Sequence, residues 1–214
     1  MIIAIDGPAG SGKSTTSKLV AERLGISHLD TGSMYRAVTL YFIENKYSVD
    51  YVDIDSIMNS IDLEISDGAV FLNGNDVTTK LRTQEVSRLV SDISSLQKVR
   101  FRMVEIQRKI SQNKSIVIDG RDIGTVVFPE AEFKFFITAS IESRAKRRFD
   151  ELKVSDSNVN LDEISKQIEE RDYFDSTRTN SPLRKAEDAI IIDTTRLSID
   201  EQVNLILEKI NKCN

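Results

Sequence analysis

The residues with the clearest chemical potential lie near the N-terminus, where the chain reads DGPAGSGKST from Asp6 to Thr15. This segment fits the pattern G-x-x-x-x-G-K-[ST], in which glycines let backbone N–H groups point inward and surround an anion. The lysine of the pattern reaches the β- and γ-phosphates of a nucleotide, and the hydroxyl after it is a ligand of Mg²⁺. The spacing predicts a loop that binds the phosphates of ATP, formed by Gly7, Pro8, Ala9, Gly10, Ser11, Gly12, Lys13, Ser14 and Thr15.

The elements on either side of this loop are the ones that such a loop requires. The apolar run MIIAID is bounded by glycine, which is typical of a buried parallel strand. The run KSTTSKLVAERLG has helical spacing, with Gly25 in the stop position. Because the first turn of a helix offers unpaired N–H groups and the positive end of a dipole, it favours a phosphate. We therefore expect Lys13 to be catalytic and Ser14 to hold Mg²⁺ as the cofactor.

A phosphate loop does not by itself say what is done with the nucleotide. A GTP-dependent switch needs a D-x-x-G segment and an N-K-x-D segment, and the sequence contains neither. Motor and transporter ATPases carry an apolar run that ends in Asp or Asp-Glu, which SIVIDG resembles. That run is followed here by Arg121 and Asp122 instead of a glutamate. The pattern favours a kinase of a small acceptor.

Strand and helix patterns alternate along most of the chain, which predicts a doubly wound α/β fold. Between about residues 59 and 100 the pattern changes, because two alternating runs flank SDG as in a hairpin and two helices follow. We predict one domain over residues 1–214, a five-stranded parallel sheet with helices on both faces, with a small inserted α+β subdomain at about 59–100. The predicted strands are MIIAID, SHLD, SIVIDG, KFFITA and AIIID.

Composition excludes several other chemistries. The chain has 214 residues, a formal net charge of −5, one cysteine and one histidine. With only Cys213 and His28 there is no internal disulfide and no Cys/His zinc site, which fits a reducing, cytoplasmic setting. His28 lies in a short strand pattern, and we expect a structural role for it.

The charge and hydropathy patterns bear on the expected partners. The net negative charge disfavours nucleic acid as a partner, while locally clustered arginines suit a small anionic ligand. No apolar run approaches the roughly 20 residues of a membrane span, and the N-terminus lacks the features of a signal peptide. We therefore expect small-molecule partners, with no nucleic acid and no membrane.

Six motifs occur in order along the chain, and together they resemble those of a known family. The chain resembles the bacterial cytidylate kinases, which move a phosphoryl group from ATP to CMP or dCMP. The resemblance implies the fold of the P-loop nucleoside monophosphate kinases, a monomer, and a monophosphate-binding role for the insertion. The motifs are IDGPAGSGKST, LDTGSMYR, LRTQEVS, VIDGRDIGTVVFP, SRAKRR and RDYFDSTR.

The resemblance also implies the residues that bind the acceptor. Arg36 and Arg121 are implied ligands of the CMP phosphate, since guanidinium groups match phosphate oxygens. Asp122 is implied at the cytosine 4-amino group, where a carboxylate accepts and the oxygen of uracil would be repelled. The other implied contacts with base or sugar are Thr31, Ser91, Arg100, Arg171, Asp175 and Arg178.

A further expectation concerns the three arginines of SRAKRR. The resemblance implies that Arg144, Arg147 and Arg148 contact ATP from a short lid at about residues 144–159, although most charge runs are solvated helix faces. In RDYFDSTR the implied contact residues keep their spacing, but the intervening positions differ from the charged residues often found in relatives. This difference affects the expected electrostatics of the lid.

The expected reaction is an in-line phosphoryl transfer, which the protein promotes by positioning the two substrates and neutralising their charge. We expect Lys13, Arg121 and Arg171 to be the catalytic residues. The acceptor phosphate is already an anion near neutral pH, so no strong general base is required. Two alternatives stay open: a kinase for another small acceptor on the same fold, and a regulator that binds nucleotide without turnover.

Overall fold

The computed structural model describes residues 1–48, 53–66, 68–153 and 159–212. The chain divides into two compact units. The first unit comprises Met1–His28 and Lys114–Asn214, and the second comprises Leu29–Asn113. The predicted insertion at 59–100 lies inside the second unit, and its role in substrate binding stays a prediction.

Strands and helices alternate along the described residues. The strands are β1 (Ile2–Asp6), β2 (Ser27–Asp30), β3 (Leu63–Ser66), β4 (Ala69–Leu72), β5 (Asn75–Asp76), β6 (Ile116–Gly120), β7 (Phe133–Thr138) and β8 (Ile190–Asp193). The α-helices are α1 (Lys13–Leu24), α2 (Thr31–Glu44), α3 (Ile54–Asn59), α4 (Gln84–Ser95), α5 (Gln97–Ser111), α6 (Ile141–Lys153), α7 (Leu161–Thr177) and α8 (Ile199–Asn211).

Five strands form the main sheet, in the order β2-β6-β1-β7-β8. The central strand β1 runs parallel to both of its neighbours, with Ile3 paired with Val117 on one side and with Phe133 on the other. Strand β7 in turn pairs in parallel with β8. The five-stranded parallel sheet predicted from the apolar runs is confirmed, and the carboxyl ends of β1, β6 and β7 lie along one edge.

The core of the first unit explains why these runs are apolar at successive positions. A parallel strand in the middle of a sheet is covered on both faces, and Ile3, Ala4 and Ile5 are all fully buried. Helix α1 packs against α8, and their buried residues join the strands in one apolar cluster. Helix α1 ends at Gly25, whose φ of 65° is the left-handed conformation expected of a helix stop.

The second unit contains a small antiparallel sheet and helices that pack on one another. Strands β3 and β4 form the predicted hairpin, although position 67 of its turn lies outside the described residues. Strand β5 pairs with β4, and a short 3₁₀ segment follows at Thr78–Arg82; the sequence patterns predicted neither. Helix α2 packs against α4, and α3 packs against α5.

Some predicted features fall at or beyond the limits of the described chain. Most of the polar connector after α6 lies outside the described residues, at 154–158, and so does Cys213. Residues 144–153 of the predicted lid belong to α6. Within the described residues, no helix combines the length and apolar character needed to cross a membrane.

The packing of α8 gives a direct test of the core. Ile206 is fully buried in the main apolar cluster, so Ile206→Ala should lower the free energy of unfolding by about 2–5 kcal/mol. The matched control is its neighbour Leu205, which is 37 % exposed and should lose less than about 1 kcal/mol on substitution by alanine. Urea unfolding measures both variants, and equal losses would contradict this packing of α8.

Candidate active site

The loop between β1 and α1 is shaped by close backbone contacts. A Cβ atom at Gly7 would lie 2.1 Å from the carbonyl oxygen of Ile137, so only glycine fits there without displacing β7. The Ser11 hydroxyl donates to the Pro8 carbonyl at 3.0 Å and closes the loop on itself. The Nζ of Lys13 donates to the same carbonyl at 3.4 Å, which directs its charge back over the loop. The loop is therefore preshaped to surround an anion.

A buried carboxylate stands beside the start of α1. Asp119, next to the end of β6, has no exposed surface, and it accepts a hydrogen bond from the Ser14 hydroxyl at 2.6 Å. Its other oxygen lies 2.8 Å from Nε2 of His28. A hydroxyl beside a carboxylate is the hard oxygen ligand set that Mg²⁺ prefers, together with water and phosphate oxygens. Ser14 and Asp119 therefore fit the expected ion.

Two of the predicted lid arginines donate hydrogen bonds to backbone carbonyls of the phosphate loop. Arg144 is only 4 % exposed and donates to the Ala9 carbonyl at 3.1 Å. Arg147 donates to the Ser11 carbonyl at 3.3 Å, and the Thr194 hydroxyl donates to the same carbonyl at 2.9 Å. Arg148 instead pairs at the surface with Glu151. The contact of these three arginines with ATP stays a prediction, while the first two clearly support the loop.

Arg144 also ties the loop to α7. Its guanidinium forms an ion pair with Asp172 at 2.6 Å while it holds the Ala9 carbonyl. Asp172 lies directly after Arg171 in the sequence and precedes Asp175 by one helical turn. One buried guanidinium thus spans from the phosphate loop to the helix that carries the predicted acceptor ligands.

A cluster of charges surrounds Asp175 on α7. Arg121 donates through Nε to one of its carboxylate oxygens at 2.9 Å, and Arg178 lies 3.5 Å from the other. Burial by itself would raise the pKa of Asp175, but the charges of Arg121 and then Arg171 outweigh it, so its pKa is lowered. Three predicted acceptor ligands are therefore brought together around one ionised carboxylate.

Arg171 lies in the same cluster and is affected both by burial and by a neighbouring cation. Burial, followed by the nearby charge of Arg121, lowers its pKa to about 10. Its Nε is buried and has no hydrogen-bond partner among the described residues. A buried guanidinium with an open donor beside another arginine is suited to receive an anion.

A second pair of acidic residues, Asp6 and Asp122, is close enough for their charges to interact. Asp6 ends β1, and its two carboxylate oxygens accept from the backbone N–H groups of Ile123 and Gly124, each at 2.8 Å. Burial raises the pKa of Asp6 to about 7, and the neighbouring charge of Asp122 adds to the rise. The two backbone hydrogen bonds and the charge of Lys13 act in the opposite direction.

The remaining predicted ligands belong to the second unit. Asp30 caps α2 by accepting from the Ser33 N–H at 3.2 Å, which places Thr31 in the buried first turn and Arg36 one turn further on. Arg36 donates to the Ser87 hydroxyl at 3.0 Å and to a backbone carbonyl of the 3₁₀ segment at 3.2 Å.

Arg100 and Ser91 lie on the two helices α5 and α4 of the same unit. Arg100 is buried and donates to the Ser94 carbonyl at 3.1 Å, with its guanidinium 5.3 Å from the centre of the Tyr35 ring. Ser91 is half-buried on α4. The binding roles of these residues stay predictions.

Comparison with known proteins decides the family. The family model described as cytidylate kinase matches residues 3–212. The chain belongs to the cytidylate kinase family. Relatives named cytidylate kinase include one from Fusobacterium nucleatum, 47 % identical over 99 % of this chain and 98 % of its own. Another, from Caldicellulosiruptor bescii, is 52 % identical over 96 % of this chain and 93 % of its own. The prediction of a phosphotransferase is confirmed at the level of this family.

A solved structure shares the fold of this cytidylate kinase family member. It is an uncharacterized protein from Eubacterium ventriosum, 15 % identical, with a TM-score of 0.56 over 99 % of this chain and 98 % of its own. At this identity the likeness shows the fold alone.

Four polar residues of the site were not among the predicted site residues. Asp6 and Asp119 stand at the carboxyl ends of adjacent parallel strands, and that position was the available signal. His28 was expected to be structural, and the structure pairs it with Asp119. Thr194 follows β8 directly, at the same edge of the sheet, although no sequence motif marks it.

The buried carboxyl of Asp6 makes stability depend on pH. Its pKa is raised from an ordinary 3.8 to about 7, so the folded chain binds this proton more tightly than the unfolded chain. The contribution of Asp6 to the free energy of unfolding is fully present below the pKa of the unfolded chain and is lost as the pH rises through 7. Relative to Asp6→Asn, the wild type should lose about 1 kcal/mol of unfolding free energy between pH 6 and pH 8. Urea unfolding of both proteins measures the difference, and parallel pH profiles would contradict the assignment.

Proposed function

We propose that this chain transfers the γ-phosphoryl group of ATP to CMP and dCMP, giving ADP and CDP or dCDP, with Mg²⁺ as cofactor. The observation that carries the proposal is the buried arginine cluster around Asp175, which Arg144 links to the phosphate loop. A triphosphate loop joined to a cluster that can receive a second phosphate suits transfer between two nucleotides. Membership of the cytidylate kinase family supports CMP as the acceptor.

The donor phosphates are assigned to the loop from Gly7 to Thr15. Its backbone N–H groups and Lys13 supply positive potential where negative charge collects, and the close backbone packing at Gly7 keeps the loop in shape before ATP binds. Ser14 and Asp119 would hold Mg²⁺, which neutralises phosphate charge when bound. His28 keeps the carboxylate of Asp119 turned toward Ser14.

The acceptor phosphate is assigned to Arg121 and Arg171, and Arg36 keeps its predicted role as a ligand of that phosphate. Two anions repel one another, and fixed guanidinium groups offset that repulsion without having to reorganise during the reaction. Because the acceptor oxygen is already ionised near neutral pH, the protein does not need to remove a proton. Arg171 has the open donor for this contact in its buried Nε.

The base and sugar are assigned to a separate set of polar groups. Asp122 accepts from the cytosine 4-amino group, a contact that uracil cannot make. Asp175 is held ionised by its arginines and can accept from the sugar hydroxyls. The remaining groups assigned to CMP are Thr31, Ser91, Arg100 and Arg178.

Three further parts of the proposal concern the region around the site. Residues 144–159 act as a lid that excludes water and limits ATP hydrolysis. The segment at 59–100 contributes to monophosphate binding. The chain acts as a monomer on small-molecule substrates in the cytoplasm, and sedimentation of the purified chain tests the oligomeric state.

An acceptor panel tests the function as a whole. ADP release is measured with ATP and Mg²⁺ against CMP, dCMP, UMP, AMP and shikimate. The proposal expects CMP and dCMP to give the highest turnover. A preference for shikimate would establish another small-acceptor kinase, and ATP binding without turnover on any acceptor would establish a non-catalytic regulator.

Removal of the loop lysine tests the donor site separately from the acceptor site. Lys13→Ala should lower turnover by at least a hundredfold, because the positive charge that stabilises the transferring phosphate is lost. The dissociation constant of CMP should stay within about threefold. Lys18→Ala is the matched control, since Lys18 lies on the same helix and pairs with Glu22 at the surface. Near-normal turnover of the Lys13 variant would contradict the donor assignment.

The carboxylate at position 122 tests the choice of base. Asp122→Ala should lower the ratio of kcat/KM for CMP to that for UMP by at least tenfold, about 1.4 kcal/mol of discrimination. The exposed Asp200, which pairs with Arg23 at the surface, is the control and should keep the wild-type ratio when changed to alanine. If both substrates lose activity by equal factors, Asp122 does not read the base.

A further inference from the structure

The carboxylate that ends β1 makes an unusual pair of hydrogen bonds. Both oxygens of Asp6 are used, one by the N–H of Ile123 and the other by the N–H of Gly124, each at 2.8 Å. Asp6 is almost fully buried and lies more than a hundred residues away in sequence. A buried carboxyl is stable only with such partners, so the two contacts fix the backbone after Asp122 against the end of the central strand.

These two N–H groups open a short turn of π-helix at Ile123–Val127. The first N–H groups of a helical turn have no partner inside the turn, and the side chain of the preceding residue usually accepts from them. That preceding residue is Asp122, an amino acid favoured for capping, yet its side chain makes no capping hydrogen bond. Its backbone carbonyl accepts from the N–H groups of Val126 and Val127 instead.

We propose that Asp6 is a positioning residue that caps the turn at 123–127 in place of Asp122, and so directs the carboxylate of Asp122 toward the base of the acceptor. This inference rests on the proposed function, in which Asp122 distinguishes cytosine from uracil. Asp6 touches no substrate in this assignment and acts only through the backbone of the turn.

The packing around Gly124 leaves the turn little freedom to find another cap. A Cβ atom at Gly124 would lie 3.2 Å from Cδ of Lys134 and 3.4 Å from Oδ2 of Asp6. The turn therefore sits in direct contact with β1 and β7. Because Asp6 immediately precedes Gly7, the first residue of the phosphate loop, the test must separate the two sites.

The variant Asp6→Asn removes one acceptor from the pair and keeps the size of the side chain. Loss of the Gly124 contact releases Asp122 to cap the turn itself, so the CMP-to-UMP ratio of kcat/KM should fall at least tenfold. The dissociation constant of ATP, measured by calorimetry, should stay within twofold. An unchanged ratio, or a loss of ATP affinity equal to the loss for CMP, would overturn the inference.

Glu132→Gln is the matched control for this variant. Glu132 accepts from the N–H of Ile2 at 2.6 Å, so it is a carboxylate that holds a backbone amide at the opposite end of the same strand. Its substitution should leave the CMP-to-UMP ratio at the wild-type value. A fall in the ratio equal to that of Asp6→Asn would show that any loss of support for β1 has this effect, and would overturn the specific role.

Amide hydrogen exchange of the unmodified protein provides a test that does not depend on the variant folding. The N–H groups of Ile123 and Gly124 should exchange as slowly as those of β6, and at least tenfold faster in Asp6→Asn if that variant folds. Fast exchange in the wild type would overturn the capping role. If the wild type shows no preference for CMP, the proposed function fails, and slow exchange at these two amides still establishes the cap.

Discussion

The rest of the site depends on the hydrogen bonds made by two buried carboxylates near the carboxyl ends of adjacent parallel strands. Asp6 is the last residue of β1, and Asp119 is the last but one of β6, which pairs with β1 so that Asp119 lies beside Ile5. Asp119 accepts from Ser14 and contacts His28, on the side of the phosphate loop. Asp6 accepts from the turn after Asp122, on the side assigned to the acceptor. The parallel sheet therefore organises both halves of the proposed reaction from one edge.

The arginines of the site are gathered around the carboxylate of Asp175 before any ligand binds. Arg121 and Arg171 repel each other, and the repulsion contributes to the lowered pKa of Arg171. Asp175 offsets it, and its own pKa is lowered by the same arginines. A bound phosphate adds negative charge where positive charge is in excess, so binding relieves the repulsion as well as forming hydrogen bonds.

The sequence predicted the parts of the structure that follow from periodicity and from local motifs. The five parallel strands, the helix after the phosphate loop and the hairpin at Leu63–Leu72 were all predicted, because apolar spacing and glycine positions report them directly. The short strand β5 and the 3₁₀ segment were missed, since two to five residues carry no periodic signal. The π-helical turn was missed because it has only five residues, and the carboxylate that accepts from its first N–H groups, Asp6, is distant in sequence.

The site was predicted less completely, for a related physical reason. The loop from Gly7 to Thr15 is a contiguous motif, and its shape follows from its own residues. The clustering of arginines was visible in the sequence, but their individual roles were predicted from the resemblance, and nothing in the sequence showed that Arg144 bonds to Ala9 and Asp172. Such contacts join residues far apart in sequence, so only the folded chain reveals them.

Hydrogen-bond use separates the residues that hold this site from those suited to bind a ligand. The guanidinium of Arg144 is buried against two backbone carbonyls and a carboxylate, so turning it toward ATP would break three contacts at once. Arg171 has a buried Nε with no partner among the described residues, and a phosphate oxygen could satisfy it. Leaving a buried donor unpaired costs about 1–3 kcal/mol, which a ligand can recover, whereas breaking formed bonds adds to the cost of binding. The same reasoning assigns Asp6 to support, because both of its oxygens already accept from the backbone.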